Sequence, residues 1–338
     1  MKVFSIILLH LVIFSSAFSI IDLSQDSIIG EINNDRLAAL GGRIDHLHWV
    51  TPDTLVFATQ KKLTVYDLKD GRELWSHDFT DLEEISTSRD EIYVLSDYTI
   101  YQFNAFTGRL KRMITSSEIA DIIEKPYILP TSITYLEKED LLAIISFSEK
   151  PERNSYIIDS KNLKLVSSFE SDGMTIISSA RFAEPYITTL SMRNNIRVWD
   201  YSRGKETLRL GENKESAIDA TFYSNALFSG ASTLVYTIDN SWGTGPVFVY
   251  DTDNRKVTTK FDSKNGHIEM DVDFKNSRIA ISGTSTDLTI YDFSGNSLAT
   301  VSGAAELRVM CVAFSPEANK VAIGSWDNTV RVFTIHEK

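Results

Sequence analysis

Along most of the chain, apolar and polar residues alternate with a period of two. Ile268, Met270, Val272 and Phe274 are apolar at every second place, with Glu269, Asp271 and Asp273 between them. That alternation predicts a strand with one face buried and the other wet. Arg278–Ser282, Asp287–Asp292 and Ser297–Val301 read as second, third and fourth strands. Between them lie Lys275-Asn276-Ser277, Gly283–Thr286 and Ser294-Gly295-Asn296, rich in residues that favour turns. One segment breaks the period. Ser116–Lys125 puts Ile119, Ile122 and Ile123 at helical spacing, with Ser117 as the cap and Glu118 and Asp121 in the first turn. It predicts a short amphipathic helix laid on the fold.

A short pattern recurs through the chain: two or three β-formers with an aromatic, then Asp or Asn, then a turn. The copies end at Asp67, Asn104, Asp159, Asp200, Asp251, Asp292 and Thr334. Their spacings are 37, 55, 41, 51, 41 and 42 residues, a base period near 41. Four short antiparallel strands in about 40 to 45 residues make one propeller blade. A lone blade cannot bury both its faces, so blades pack in a ring. The fold predicted is all-β, a seven-bladed β-propeller. The last copy stops after its third strand, so its fourth must come from elsewhere. Ser27–Ile32 is expected to pair there as an antiparallel outer strand that closes the ring and covers the exposed edge.

The first nineteen residues have a different character. Lys2 precedes an apolar run from Val3 to Phe14, broken only by Ser5 and His10. Ala17-Phe18-Ser19 then places small residues at the −3 and −1 positions of a cleavage site. This is the grammar of a secretory signal peptide. The run is shorter than the ~20 residues of a membrane span. The expected organisation is a signal peptide over 1–19 and one propeller over 20–338, in the ER lumen or secreted, with no membrane span after cleavage. The formal net charge of −12 argues against a nucleic-acid partner. Cys311 is the single cysteine and lies in an apolar run, so it reads as a small buried hydrophobe.

Gly324-Ser325-Trp326-Asp327-Asn328-Thr329-Val330-Arg331-Val332-Phe333 closely resembles the second turn and third strand of a WD40 repeat. Phe314-Ser315-Pro316-Glu317 and Val50-Thr51-Pro52-Asp53 resemble its first hairpin turn, Gly266-His267 its Gly-His pair, and Trp199-Asp200 its name-giving dipeptide. The resemblance runs over about residues 44 to 336. It implies a hydrogen-bonded His, Ser or Thr, Asp and Trp within a blade. The sixth blade keeps His267, Ser282 and Asp287, with Tyr291 in the Trp place; the seventh keeps Asp327; the fourth has Trp199 but Asn194 or Asn195 for the Asp. In the first blade, Val65–Trp75 is similar to a quinoprotein-type propeller repeat. That likeness implies that Trp75 docks on the next blade, where the corresponding region holds Lys111.

Catalytic signatures are missing from the sequence: it has no Gly-x-Ser-x-Gly, no P-loop and no His-Glu-x-x-His. His46 and His48 share a strand face, yet two imidazoles fall short of a four-ligand structural zinc site. No cofactor and no metal are expected. Binding through loop tips is the better reading, because a rigid scaffold presents its loops for recognition. The candidate partner-binding residues are Trp326, Arg193, Trp242, Tyr98 and Lys62, with Trp242 in an insertion over Thr237–Pro246. The function read is a non-enzymatic, monomeric scaffold for a protein or peptide partner. The alternative is a small propeller enzyme, quinone-dependent or hydrolase-like, which the Trp75 repeat motivates.

Overall fold

The computed structural model describes residues 21–29, 42–147, 152–171, 175–179, 185–191, 195–211, 222–239, 245–263 and 269–337. The chain opens with β1 (Ile21–Ile29) and then makes six consecutive four-stranded antiparallel sheets. Blade one is β2 (His46–Thr51), β3 (Thr54–Ala58), β4 (Lys62–Asp67) and β5 (Arg72–Asp78). Blade two is β6 (Leu82–Thr87), β7 (Glu91–Ser96), β8 (Thr99–Asn104) and β9 (Leu110–Ile114). A helix, α1 (Ser116–Ile122), leads to blade three: β10 (Pro130–Leu136), β11 (Leu141–Ser146), β12 (Glu152–Asp159) and β13 (Leu165–Ser171). Blade four is β14 (Thr175–Ser179), β15 (Tyr186–Ser191), β16 (Asn195–Asp200) and β17 (Lys205–Leu210). Blade five is β18 (Phe222–Phe228), β19 (Thr233–Asp239), β20 (Pro246–Asp251) and β21 (Lys256–Asp262). Blade six is β22 (Met270–Asp273), β23 (Arg278–Ile281), β24 (Leu288–Asp292) and β25 (Ser297–Val301). Blade seven has β26 (Val309–Phe314), β27 (Lys320–Ser325) and β28 (Val330–Glu337), with β1 as its outer strand.

The first strands of neighbouring blades touch in sequence around a circle, β2 to β6 and onward to β26, which meets β2 again. The closing strand pairs antiparallel with β28 from Ile21 opposite Glu337 to Ile29 opposite Val330. It begins six residues before the expected Ser27 and stops at Ile29, and residues 30–32 lie outside the described residues. The amphipathic signal here is faint, because β1 buries only Ile21 and Ile29 fully.

The core consists of seven apolar clusters among the described residues, each shared by two adjacent blades. Val94 packs toward blade one while its neighbour Leu95 packs toward blade three. Successive side chains on a strand point to opposite faces, and here both faces are interior. This corrects the expectation of a wet face on the sixth blade's inner strand: Asp273 is buried, accepting from the amide and side chain of Asn276, and Asp271 is half-buried.

The recurring Asp or Asn has a local cause. Asp67, Asn104, Asp159, Asp251 and Asp292 each accept backbone N–H donors two to four residues on, and Asp200 does so from Arg203. These side chains close the turn from third to fourth strand. Thr334 breaks the pattern because β28 is followed by no such turn; its partner strand arrives from the other end of the chain.

Helix α1 is capped by Thr115 rather than Ser117. The Thr115 hydroxyl accepts from the Glu118 amide, and Glu118 accepts from the Thr115 amide, forming a capping box. Ile119 and Ile123 are buried with Ile114, Ile128 and Ile133, so the helix roofs the seam between blades two and three.

Trp75 does reach the next blade. Its indole N–H donates to the Ala105 carbonyl at 2.8 Å, and its ring lies against Phe103. The ring packs over Gly108, where an added Cβ would come within 2.7 Å of it. In blade two the strand register puts Arg112, not Lys111, in the place of Trp75: both blades bulge by one residue at the same point, and Lys111 is the bulged residue, as Leu74 is in blade one. Arg112 donates instead to the Lys161 carbonyl of blade three.

Gly71 and Gly108 both have positive φ, but nothing approaches a Cβ at Gly71. Gly71→Ala is expected to lower stability by about 1–2 kcal/mol. Gly108→Ala should lose a further ~1–3 kcal/mol through the clash, partly recovered when Trp75→Ala is added. Denaturant titration of the four proteins measures this; equal losses at both glycines would remove Trp75 as the spacer between blades.

Candidate functional site

In an up-and-down blade, the loop from second to third strand and the link to the next blade emerge on the same side. This shared side, the tip face, carries Trp326 after β27, Tyr98 after β7 and the Lys61–Lys62 corner before β4. Arg193 and Trp242 lie outside the described residues.

Trp326 lines a cleft of about 580 Å³ between blades six and seven, with Thr284, Ser285, Thr286, Glu306 and Arg308. It is half-buried. Its amide donates to the Arg308 carbonyl at 2.8 Å, and the Arg308 guanidinium lies 5.6 Å from the centre of its ring. The buried indole N–H has no hydrogen-bond acceptor.

The loop holding Trp326 is fixed from below. Asp327 is fully buried. It accepts from the Thr329 amide and hydroxyl, the Glu306 amide and the Arg331 guanidinium at 3.1 Å. Arg331 also donates to the Ala304 carbonyl at 2.7 Å. The expected turn-amide partners of Asp327 are there, and Arg331 fills the role the resemblance gave to a His. In blade six, Asp287 accepts from the Gly303 amide, and the Ser282 hydroxyl accepts from the Glu269 amide and donates to the Glu269 carbonyl. His267 lies outside the described residues. In blade four, the Trp199 indole donates to the Thr189 hydroxyl. Asn195 is buried there, and Asn194 lies outside the described residues.

Tyr98 stands on a two-residue hairpin between Ser96 and Thr99. Both Asp97 and Tyr98 have positive φ, 49° and 59°, where Asn-Gly is the usual choice. The ring is 44% exposed. Lys62 is exposed, sits 3.7 Å from Glu73, and borders a second cleft with Thr59, Phe79 and Asn328. The three tip residues therefore share a face but not a pocket.

A feature of the inner strands went unread in the sequence. The first strands expose amides toward the central channel, and carboxylates from the preceding blade accept several of them. Glu84 accepts from the Ile133 amide at 2.6 Å, and Asp271 from the Phe314 amide at 2.7 Å. Burial raises the Glu84 carboxyl to about 8 despite the Ile133 amide and the Ser132 hydroxyl. Burial, with repulsion from Asp271 and Asp45, takes Glu269 to about 8, although the Val312 amide opposes the rise. Burial lowers His46 to about 4. Burial also raises Asp45, against the attraction of Arg43 at 2.6 Å, and Glu83, beside Asp81 and Asp97. The pairing of acids at Glu83-Glu84 and Glu269-x-Asp271, each opening an inner strand, is the signal that points to them.

Among the described residues no group of three or more His, Cys, Asp or Glu is arranged to hold a metal ion. Cys311 is buried and donates to the Ile44 carbonyl at 3.4 Å; burial pushes its thiol up.

Asp327→Ala strands the buried Arg331 cation and is expected to cost about 3–5 kcal/mol, measured by denaturant unfolding. A loss within experimental error would show that the pair does not hold the loop. A second expectation concerns pH. Unfolded glutamates titrate near 4.5, so the stability tied to the raised Glu84 and Glu269 is complete below that pH and lost as pH climbs through about 8. His46 acts in the opposite sense, complete above 6.5 and lost as pH falls through about 4. The Glu84→Gln, Glu269→Gln double variant should therefore keep its thermal midpoint level from mildly acidic to mildly alkaline pH, where the parent declines. Parallel curves for the two would show that neither carboxyl is held protonated.

The WD domain, G-beta repeat (WD40) family model matches residues 295–334. That span takes in β25 and the three strands of blade seven that follow it, so the sequence repeat straddles two blades. No curated protein matches the chain. No helix among the described residues is long and apolar enough to cross a membrane. WD40 propellers are commonly protein-interaction scaffolds and generally not enzymes. With one repeat matched and seven four-stranded blades closed in a ring, the chain is a seven-bladed β-propeller that is similar to WD40-repeat proteins over residues 295–334.

Proposed function

We propose that this propeller is a non-enzymatic scaffold of the secretory pathway that docks a protein or peptide on its tip face. The observation that carries the reading is Trp326: an aromatic at the edge of a 580 Å³ cleft, on a loop pinned by a buried Asp–Arg pair. A large side chain held still on a rigid base is what interface anchors require, since little freedom is lost on binding. Tyr98 adds an exposed aromatic on the same face. The lumenal setting rests on the leader-like residues 1–19. Trp75, which motivates the enzyme alternative, spends its indole on the Ala105 carbonyl and its ring on Gly108, a packing duty between blades.

Crosslinking in intact secretory compartments followed by capture of a tagged chain tests the proposal. Trp326→Ala combined with Tyr98→Ala is expected to reduce a specific captured protein by about tenfold or more, with the circular dichroism spectrum unchanged. Capture that is indifferent to both changes overturns the tip face as the docking surface. Cytosolic exposure of the chain, read by protease protection, overturns the lumenal placement.

A further inference from the structure

We propose that Trp326 is a gated side chain: the free protein holds its ring under Arg308 with the indole N–H sealed off, and the ring turns outward into the cleft between blades six and seven to expose it. The inference goes beyond the scaffold reading, since it concerns the chain with nothing docked.

Two interactions pull the side chain in opposite directions. The indole N–H is buried and has no acceptor among the described residues. A buried donor forfeits its bonds to water without regaining them, so such groups are uncommon and raise the energy of the position that holds them. A rotation that brings the N–H to water relieves that cost. Against it stands Arg308, whose guanidinium lies over the ring, 5.6 Å from its centre. Cation and ring attract each other, and the contact is lost when the ring leaves. Arg308 is itself exposed, so the latch sits at the surface.

The backbone takes no part in the motion. The Trp326 amide donates to the Arg308 carbonyl at 2.8 Å, so ring and latch hang from neighbouring, bonded segments. The next residue, Asp327, is fully buried and tied to the Thr329 and Glu306 amides and to Arg331. Movement is thereby confined to the side-chain torsions of Trp326, which occupy discrete wells. There is room for it: the half-buried ring lines a cleft of about 580 Å³, shared with Thr284, Ser285 and Thr286 of blade six. Glu306 and Arg308 both line that cleft, so their charges balance and the device works by uncovering a donor. Two wells separated by a small energy gap form a population that a single contact can shift.

The test uses the full chain in two samples, one grown with 5-fluorotryptophan and one labelled with 15N at tryptophan. Trp326→Phe identifies the Trp326 resonances among those of the five tryptophans. Expected in the fluorine spectrum is exchange of Trp326 between two environments on the microsecond to millisecond scale, the minor one sensitive to replacing H2O by D2O. Arg308→Ala removes the latch and should raise the outward population about two- to fivefold. Arg308→Lys, a cation without the planar stack, should fall between. In the parent, the Trp326 indole N–H should exchange with solvent faster than the backbone amides of β27. A single environment that Arg308→Ala leaves unchanged overturns the gate, and so does an indole N–H that exchanges only together with β27. A long-lived water bonded to the indole N–H, seen as a water NOE, also overturns it by supplying the missing acceptor. Should Arg308→Ala fail to fold, the exchange rates of the parent decide. Two environments in a chain that captures no protein sink the scaffold and leave the gate. Capture that needs Trp326, with one environment only, does the reverse.

Discussion

The pairing of Ile21–Ile29 with Val330–Glu337 joins the two ends of the described chain in one sheet. Without it the seventh blade has three strands and a bare edge, and the seam between blades six and seven loses Ile21 from its apolar cluster. Each sheet in this molecule is buried on both faces by its neighbours, so a gap at one seam leaves two blades short of a partner. The ring is thus a shared constraint, and the Trp326 cleft depends on it directly: its walls come from blades six and seven.

Much of the ring was legible because the turn chemistry repeats with it. Asp67, Asn104, Asp159, Asp200, Asp251 and Asp292 recur since each must close the same tight turn with a side-chain oxygen. Thr334 stood out in the sequence as the copy without Asp, and the missing turn explains it. The closing strand was legible in kind but not in position, because an outer strand with only Ile21 and Ile29 fully buried carries little period-two signal. The displaced assignments have equally local causes. Ser117 yielded to Thr115 as cap because only Thr115 stands three residues before Glu118. Lys111 yielded to Arg112 because Lys111 is the bulged residue of β9, equivalent to Leu74 rather than to Trp75.

The candidate site divides the same way. Asp327 was legible beside Trp326 through the resemblance of residues 324–333 to a WD40 turn and strand. Its partner Arg331 was not, as an arginine within a β-rich segment reads as a solvated face until the seam with Ala304 is seen. Glu269 and Asp271 looked like the polar half of an alternating strand, and Glu84 drew no reading at all. Only the closed ring places them against the amides of the next blade, away from bulk water. Burial between blades is a property of the assembled circle, and no local window of sequence contains it.

The order of synthesis meets this architecture awkwardly. Ser24 and His336, hydrogen-bonded neighbours in the finished sheet, are 312 residues apart. A ribosome adding about 5–20 residues per second leaves the early strand waiting roughly 15–60 s for its mate. During that interval blades one to six can collapse on one another, but the last seam stays open. A growing chain of this kind holds an adhesive early ribbon in reserve, and whatever shields that ribbon until the last blade is made governs how much of the protein reaches its closed form.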